Sequence, residues 1–203
     1  WNILGSTVYS FISVFFTILV TRVLGDTENG IFTIALATSQ VLIAVGYFEV
    51  RTFQVSDSRN LYSFQDYLSL RILTCVLMFI SCLIYVAASW ESRHVAVVVF
   101  CMCLVKTFEA FGDVYEGMYQ KLQRLDLSGK IVLVRTLVAA AVFAGILWST
   151  RSLEAASAAM AAAVFLGVVF LDILPMQYFE KEHFHFQWRR LSGLARNCFP
   201  LFL

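Results

Sequence analysis

Residues 68–89 read LSLRILTCVLMFISCLIYVAAS, a run of 22 residues with a single charge at Arg71. The hydrocarbon core of a bilayer is about 30 Å thick and needs roughly 20 apolar residues in helical form. Inside lipid, an α-helix satisfies every backbone amide and carbonyl within its own segment. The run therefore predicts one membrane-spanning helix.

Five other stretches have the same character, and short polar segments separate them. They cover residues 3–20, 31–48, 95–111, 131–149 and 155–174. Of the 203 residues, 60% are hydrophobic and 14% are charged, whereas about 25% of residues in soluble domains are charged. We therefore expect an all-α polytopic membrane protein with six transmembrane helices and the start of a seventh.

The pattern divides the chain into three segments. Residues 1–174 are predicted to form a six-helix membrane lobe, and residues 194–203 to begin a second lobe. Residues 175–193, a polar and aromatic-rich stretch, are predicted to be an amphipathic connection on the cytoplasmic membrane surface. The last apolar run is too short to span a bilayer, so we expect the full-length chain to continue into a second six-helix lobe.

Basic residues are unevenly shared between the two sides of the predicted bundle. One set of alternate connections holds ten of them, and the other set holds three. The larger set is Arg51, Arg59, Arg71, Lys121, Arg124, Lys130, Lys181, Arg189, Arg190 and Arg196, and the smaller is Arg22, Arg93 and Arg151. Because cytoplasmic loops carry the excess of Lys and Arg, the N-terminus is predicted to be cytoplasmic.

Several classes of function have no signal in the sequence. The five cysteines lie in apolar runs without paired CxxC elements and the three histidines are isolated, so we expect no metal site and no redox cofactor. Zinc-protease and phosphate-cradle motifs are missing and the connections are short, which argues against an enzyme. A net charge of +1 gives no reason to expect a nucleic-acid partner.

The fourth apolar run is interrupted by polar side chains. These are Lys106, Glu109, Asp113, Glu116, Gln120 and Arg124. At 100° per residue they fall within about a third of the helix circumference. Lys106 lies about 16 Å from the outer end of the run, near the middle of the bilayer. A charge there costs at least roughly 2.5–3.5 kcal/mol, so the stripe must face protein or water.

Two interpretations of this stripe stay open, and they are compatible. The charges could form an internal ladder of ion pairs, beginning with Lys106 and Glu109 three residues apart. Alternatively, they line a polar cavity for a hydrophilic substrate or a coupling ion, since ionisable groups within membranes commonly mark transport pathways. Arg22, Arg135 and Asp172 lie nearer the ends of their runs, where they are expected to reach an interface.

The same run carries a resemblance to a known family. Residues 106–121 read KTFEAFGDVYEGMYQK, followed by RLD at 124–126 and GK at 129–130. WNILG at 1–5, TRVLG at 21–25, GIF at 30–32 and RTFQVSD at 51–57 extend the pattern. Up to about Arg135, the chain resembles the polysaccharide flippases of the multidrug/oligosaccharidyl-lipid/polysaccharide exporter superfamily.

The resemblance implies two six-helix lobes around a central cavity, in the cytoplasmic membrane of a bacterium. The implied activity is the flipping of a lipid-linked oligosaccharide by alternating access, for surface polysaccharide export. The implied partners are membrane lipid, the lipid-linked saccharide and the second lobe of the same chain. The candidate substrate-binding or cavity residues are Arg22, Arg51, Lys106, Glu109, Asp113, Glu116 and Gln120.

The resemblance also implies roles for some of these residues. Arg22, Arg51 and Lys106 are the positions that could face the pyrophosphate of the lipid carrier. Glu109 and Asp113 could pair with them or take up a coupling H⁺ or Na⁺, and no other cofactor is expected. The alternative within the superfamily is a cation-coupled antiporter for drugs or other small molecules.

Overall fold

The computed structural model describes residues 1–88, 92–176 and 188–202, and no strand occurs in these ranges. Seven of its helices are α1 (Asn2–Leu24), α2 (Asp26–Tyr47), α3 (Val50–Ser56), α4 (Phe64–Ala88), α5 (Arg93–Lys121), α6 (Leu125–Thr150) and α8 (Trp188–Phe202). Between α6 and α8, helix α7 consists of an α-helical part (Leu153–Gly167), a π-helical part (Val168–Ile173) and a last α-helical turn (Leu174–Met176).

Six helical segments in the described ranges are long and apolar enough to cross a membrane: α1, α2 together with α3, α4, α5, α6 and α7. Their outer faces carry large apolar side chains, and Phe11, Ile84 and Phe170 are each at least 60% exposed. An apolar surface of this extent suits contact with lipid chains rather than water. The chain is therefore an all-α polytopic membrane protein, as predicted.

The helices extend beyond the apolar runs that predicted them. The run over residues 95–111 lies within α5, which continues to Lys121. The connection predicted over 175–193 falls largely on residues 177–187, which lie outside the described residues. Helix α8 begins at Trp188, so the boundary predicted at residue 194 falls within a helix.

The crossing helices alternate in direction, so the bundle has two ends. We call one the basic end, which holds the loop over residues 57–63, residues 122–124 and α8. The other, the opposite end, holds Gly25 between α1 and α2 and residues 151–152 between α6 and α7. The positive-inside distribution predicts that the basic end is cytoplasmic.

Two features connect the helices at the opposite end. Gly25 alone connects α1 to α2 at a φ of 94°, a backbone conformation that favours glycine. His94, at the start of α5, lies 2.9 Å from a carboxylate oxygen of Glu28 and 2.6 Å from one of Glu154. Its ring therefore links the first turns of α2, α5 and α7.

Helix α5 is the central element of the bundle. It packs against α2, α3, α4, α6 and α7, and it is the most buried of the six membrane-crossing segments. Near the opposite end the surrounding core is apolar, with the ring centroids of Phe16, Phe32 and Phe143 4.8–6.3 Å apart. Toward the basic end, the polar side chains of α5 take the place of this apolar packing.

The orientation of the bundle can be tested by cysteine labelling. We expect Thr27→Cys to react with a membrane-impermeant maleimide in intact cells, and Ser58→Cys to react only after the membrane is permeabilised. Both residues are exposed, at the opposite end and the basic end respectively. The five native cysteines are buried, so they should contribute little background labelling. Labelling in the reverse order would show that the predicted orientation is wrong.

Candidate functional site

The charged residues in the middle of α5 face the interior of the bundle. Lys106 and Glu109 are 7% and 9% exposed, and the Lys106 Nζ lies 2.8 Å from the Glu109 Oε2. The Tyr9 hydroxyl of α1 donates to the same oxygen at 2.7 Å and accepts from the Lys106 Nζ at 3.1 Å. Within the predicted stripe, Lys106, Glu109 and Glu116 are buried, whereas Arg124 is 48% exposed. The ion pair with which the ladder interpretation begins, Lys106 with Glu109, is present.

Asp113, one turn nearer the basic end, is held by two arginines from other helices. Its Oδ1 lies 3.0 Å from the Arg51 Nη1, and its Oδ2 lies 2.6 Å from the Arg71 Nη2. Arg71 also donates to the carbonyls of Gly46 at 2.6 Å and Tyr47 at 3.0 Å, in the last turn of α2 where carbonyls lack helical partners. Arg71, counted above among the residues of a cytoplasmic connection, is therefore fully buried.

Arg135 of α6 joins two carboxylates on other helices. Its Nη2 lies 2.6 Å from the Glu116 Oε1, and its Nη1 lies 2.6 Å from the Asp172 Oδ2. Glu116 also accepts from the Arg51 Nη1 at 2.9 Å. The prediction that Arg135 and Asp172 reach an interface is wrong, because both are buried. Mutual pairing offsets the cost of removing these charges from water.

Backbone features create the space for Arg135. A Cβ atom added at Gly112 would lie 2.6 Å from the Arg135 Nη1, and one added at Gly167 would lie 3.0 Å from its Cγ. Asp172 lies on the π-helical part of α7, Val168–Ile173. Such π turns hold an additional residue and are frequent at functional sites. The glycines and the π turn together place the guanidinium between its two carboxylates.

These contacts connect six charged side chains with one another, and the Lys106–Glu109 pair lies beside them along the same helix; we call all eight the central ion-pair network. Its members are Arg51, Arg71, Lys106 and Arg135 with Glu109, Asp113, Glu116 and Asp172. With four cations and four carboxylates it is formally neutral among the described residues. The amide oxygen of Gln120 accepts from the Arg51 Nη2 at 3.3 Å at its edge. Arginines from α3, α4 and α6 thus balance the acidic excess of α5.

Two cavities border the network. The first cavity has a volume of about 330 Å³ and the second about 180 Å³. Tyr9, Glu109 and Arg135 line both of them. The first cavity is also lined by Gln40 and Lys106, although half of its lining residues are apolar, and the second is also lined by Arg51, Asp113 and Glu116. The structure thus combines an ion-pair ladder with a partly apolar cavity and a polar one beside it.

The structure brings together six of the seven predicted site residues: Arg51, Lys106, Glu109, Asp113, Glu116 and Gln120. Arg22 is exposed near the opposite end and lines neither cavity. Sequence reasoning missed Tyr9, Arg71, Arg135 and Asp172 as members of the site. Arg71 could have been identified from the sequence, because it is a single charge within an apolar run. Nothing in the sequence distinguished Tyr9 from the other tyrosines.

Asp57 organises the loop at the basic end, outside the membrane-crossing helices. Its carboxylate accepts from the amides of Leu61 at 3.1 Å and Tyr62 at 3.3 Å, and from the Tyr67 hydroxyl at 2.9 Å. Burial alone would raise the pKa of Asp57, but these hydrogen bonds lower it below its usual value. The bonds therefore stabilise the folded loop above the ordinary pKa of an aspartate, and this stabilisation is lost as the pH falls through the lowered pKa.

The groups around the two cavities define what they can bind. No set of three His, Cys, Asp or Glu side chains in the described ranges is arranged to hold a metal ion. The cavities instead present hydrogen-bond donors, acceptors and paired charges, which suit a polar or ionic solute. No family model, curated protein or solved structure matches the chain, so the resemblance to the flippases stays a prediction.

Proposed function

We propose that this chain forms one lobe of a transporter that flips a lipid-linked oligosaccharide across the membrane by alternating access. The observation that carries the proposal is the central ion-pair network, which borders two cavities between helices long and apolar enough to cross a membrane. Buried ion pairs are often no more stabilising than well-packed apolar side chains of similar volume. Ionised groups inside a bundle of such helices are therefore better explained by a polar passage than by stability.

The chemistry of the cavity walls suits a saccharide attached to a phosphate. Carboxylates, the Tyr9 hydroxyl and the Gln40 amide can exchange hydrogen bonds with sugar hydroxyls. The Arg51 side chain is 29% exposed and is the most accessible cation of the network. A guanidinium binds phosphate oxygens in a bidentate manner. Because Asp113 and Glu116 already hold Arg51, the phosphate competes with them, and its binding stays reversible.

The proposal predicts a loss of export for Asp113→Asn and for Lys106→Ala in the full-length gene. The Asn side chain keeps the volume of Asp113 but removes the charge that holds Arg51 and Arg71. Loss of a hydrogen bond to a charged group costs about 1.5–3 kcal/mol, so we expect surface polysaccharide to fall about tenfold or more. The measurement is surface polysaccharide per cell, normalised to transporter abundance in the membrane.

Asp126→Asn is the matched control, because it removes an exposed carboxylate at the basic end that pairs with Arg124 and Lys130. We expect it to export normally. Normal export by well-expressed Asp113→Asn and Lys106→Ala variants would contradict the assignment of the site.

One observation favours a second candidate, a proton-coupled antiporter for small molecules. The Asp172 Oδ1 is buried and has no hydrogen-bond partner in the described part of the chain. Protonation would reduce the cost of burying this oxygen, and buried carboxylates serve as proton carriers in transporters. Higher drug susceptibility with unchanged surface polysaccharide in an Asp172→Asn strain would favour the antiporter over the flippase.

A further inference from the structure

A third cavity, of about 390 Å³, lies at the basic end of the bundle. It shares no lining residue with the two cavities of the central ion-pair network. Its walls come from α3, from the loop that precedes α4, from the start of α4, from the end of α5 and from α8. The lining residues are Gln54, Asn60, Leu61, Tyr62, Ser63, Phe64, Tyr67, Met118, Lys121 and Arg190.

Two cations line this cavity, and both are loosely paired. The Lys121 Nζ lies 3.9 Å from the Asp57 Oδ2, and the Arg190 Nη1 lies 3.4 Å from the Asp66 Oδ2. In the central ion-pair network, by contrast, the corresponding distances are 2.6–3.0 Å. Asp57 and Asp66 already accept closer hydrogen bonds from the loop, such as that from the Ser63 amide to Asp66 at 3.0 Å. Both cations therefore have N–H groups with which they can bind a further anion.

A buried amide in the same wall has no hydrogen-bond partner. Gln54 is fully buried, and neither its Oε1 nor its Nε2 has a partner in the part of the chain that the structure describes. Gly117 leaves room for this amide, since a Cβ atom there would lie 2.5 Å from the Oε1. A buried polar group left without a hydrogen-bond partner destabilises the folded state. A ligand that accepts a hydrogen bond from the Nε2 would remove that destabilisation.

The start of α4 adds a favourable field. Phe64, its first residue, lines the cavity. The N-terminus of a 25-residue helix carries a partial positive charge that attracts anions, and Asp66 in its first turn offsets part of that charge. Lys121, Arg190 and this helix end would thus all attract an anion into the cavity. The Gln54 amide can donate a hydrogen bond beside them.

Helix α8 places this space at a membrane surface. Its buried face, Leu191, Leu194 and Cys198, packs into the core formed with α3, α4 and α5. At the flank of this buried face Trp188 is 66% exposed and Phe199 is 50% exposed. Large apolar side chains on the exposed side of such a helix suit the boundary between headgroups and acyl chains. Lipid headgroups therefore lie within reach of the cavity.

We propose that the basic-end cavity binds a phosphate group, carried by an anionic phospholipid of the adjacent leaflet or by free phosphate. Lys121 and Arg190 supply the charge, and the Gln54 amide supplies an oriented donor. Basic pockets between transmembrane helices on the cytoplasmic side are known to hold lipid headgroups. Occupation of this cavity would join α8 to α3, α4 and the end of α5. The proposal does not depend on which substrate the transporter carries.

The test is equilibrium binding to the purified full-length protein in neutral detergent, measured by native mass spectrometry. The probes are dihexanoylphosphatidylglycerol, inorganic phosphate and dihexanoylglycerol, which lacks phosphate. We expect phosphatidylglycerol to bind more tightly than dihexanoylglycerol. Lys121→Gln and Arg190→Gln should each weaken phosphatidylglycerol binding about tenfold, because each removes one charged hydrogen-bond donor. Gln54→Leu should also weaken it while the protein stays folded.

The matched control is Lys130→Gln, which removes a half-exposed cation at the same end that does not line the cavity. It should leave binding unchanged. Displacement of the lipid by inorganic phosphate would assign the site to free phosphate, and resistance to displacement would assign it to the lipid. The proposal is overturned if phosphatidylglycerol binds no more tightly than dihexanoylglycerol and phosphate does not bind. Equal effects of Lys130→Gln and Arg190→Gln would also overturn it.

Discussion

Arg135→Met should lower the free energy of unfolding of the full-length protein by about 3–5 kcal/mol, the usual cost of removing one partner from a buried ion pair. The guanidinium lies 2.6 Å from both Glu116 and Asp172. Glu116 would keep its contact with Arg51 at 2.9 Å, but Asp172, which is fully buried, would lose its cation. The measurement is denaturant-induced unfolding in mixed micelles.

Arg124→Met is the matched control for this prediction. The Arg124 side chain is 48% exposed and lies 3.3 Å from the Asp126 carboxylate. Exposed pairs of this kind contribute about 0–1 kcal/mol. Adding Asp172→Leu to Arg135→Met should restore part of the lost stability, because it removes the unpaired charge. If Arg135→Met and Arg124→Met unfold at the same denaturant concentration, the buried network does not contribute to stability in this way.

Gly112→Ala should destabilise the protein by about 1–3 kcal/mol, the usual cost of overpacking a core. The added methyl group would lie 2.6 Å from the Arg135 Nη1 and 3.3 Å from the Asp172 Oδ2. Carboxylates on two sides hold the guanidinium in place, so it cannot move away without breaking an ion pair. The same unfolding measurement applies, and an accompanying loss of export would show that the network must keep its geometry.

Gly145→Ala is the control, and we expect it to raise the free energy of unfolding. Gly145 lies within α6, and a Cβ atom there would meet no atom within 4 Å. Replacing a glycine by alanine inside a helix stabilises it by about 0.5–1 kcal/mol. Destabilisation of equal size at both positions would mean that helix propensity or lipid contact, and not the space beside Arg135, decides the outcome.

The membrane fold could be predicted because lipid imposes a length and a composition on each helix. The six apolar runs, such as residues 68–89, lie within or close to helices of the structure. The inward direction of the α5 charges was also predictable, since Lys106 and Glu109 could not face lipid. Hydropathy reports the depth of a residue in the membrane and the face of its own helix. It does not report which side chain of another helix lies opposite.

The rest of the site depends on contacts between helices that are distant in sequence. Glu116 and Arg135 are separated by 19 positions, and Arg71 and Asp113 by 42. Asp172 was misplaced for an additional reason, because it lies on a π-helical segment. One additional residue in a helix turns everything beyond it by about 100° relative to a regular α-helix. Its position beside Arg135 follows only from the three-dimensional packing of α6 and α7.

The short links at the opposite end have a mechanical consequence. Gly25 joins α1 to α2 as a single residue, and residues 151–152 join α6 to α7. Each pair of helices therefore shares a fixed pivot at that end, where His94 also fastens α2, α5 and α7. Any scissor-like spreading within one of these two pairs has to widen toward the basic end. In the transporter that we propose, such hinges would let these two helix pairs open toward the basic end while their other ends stay joined.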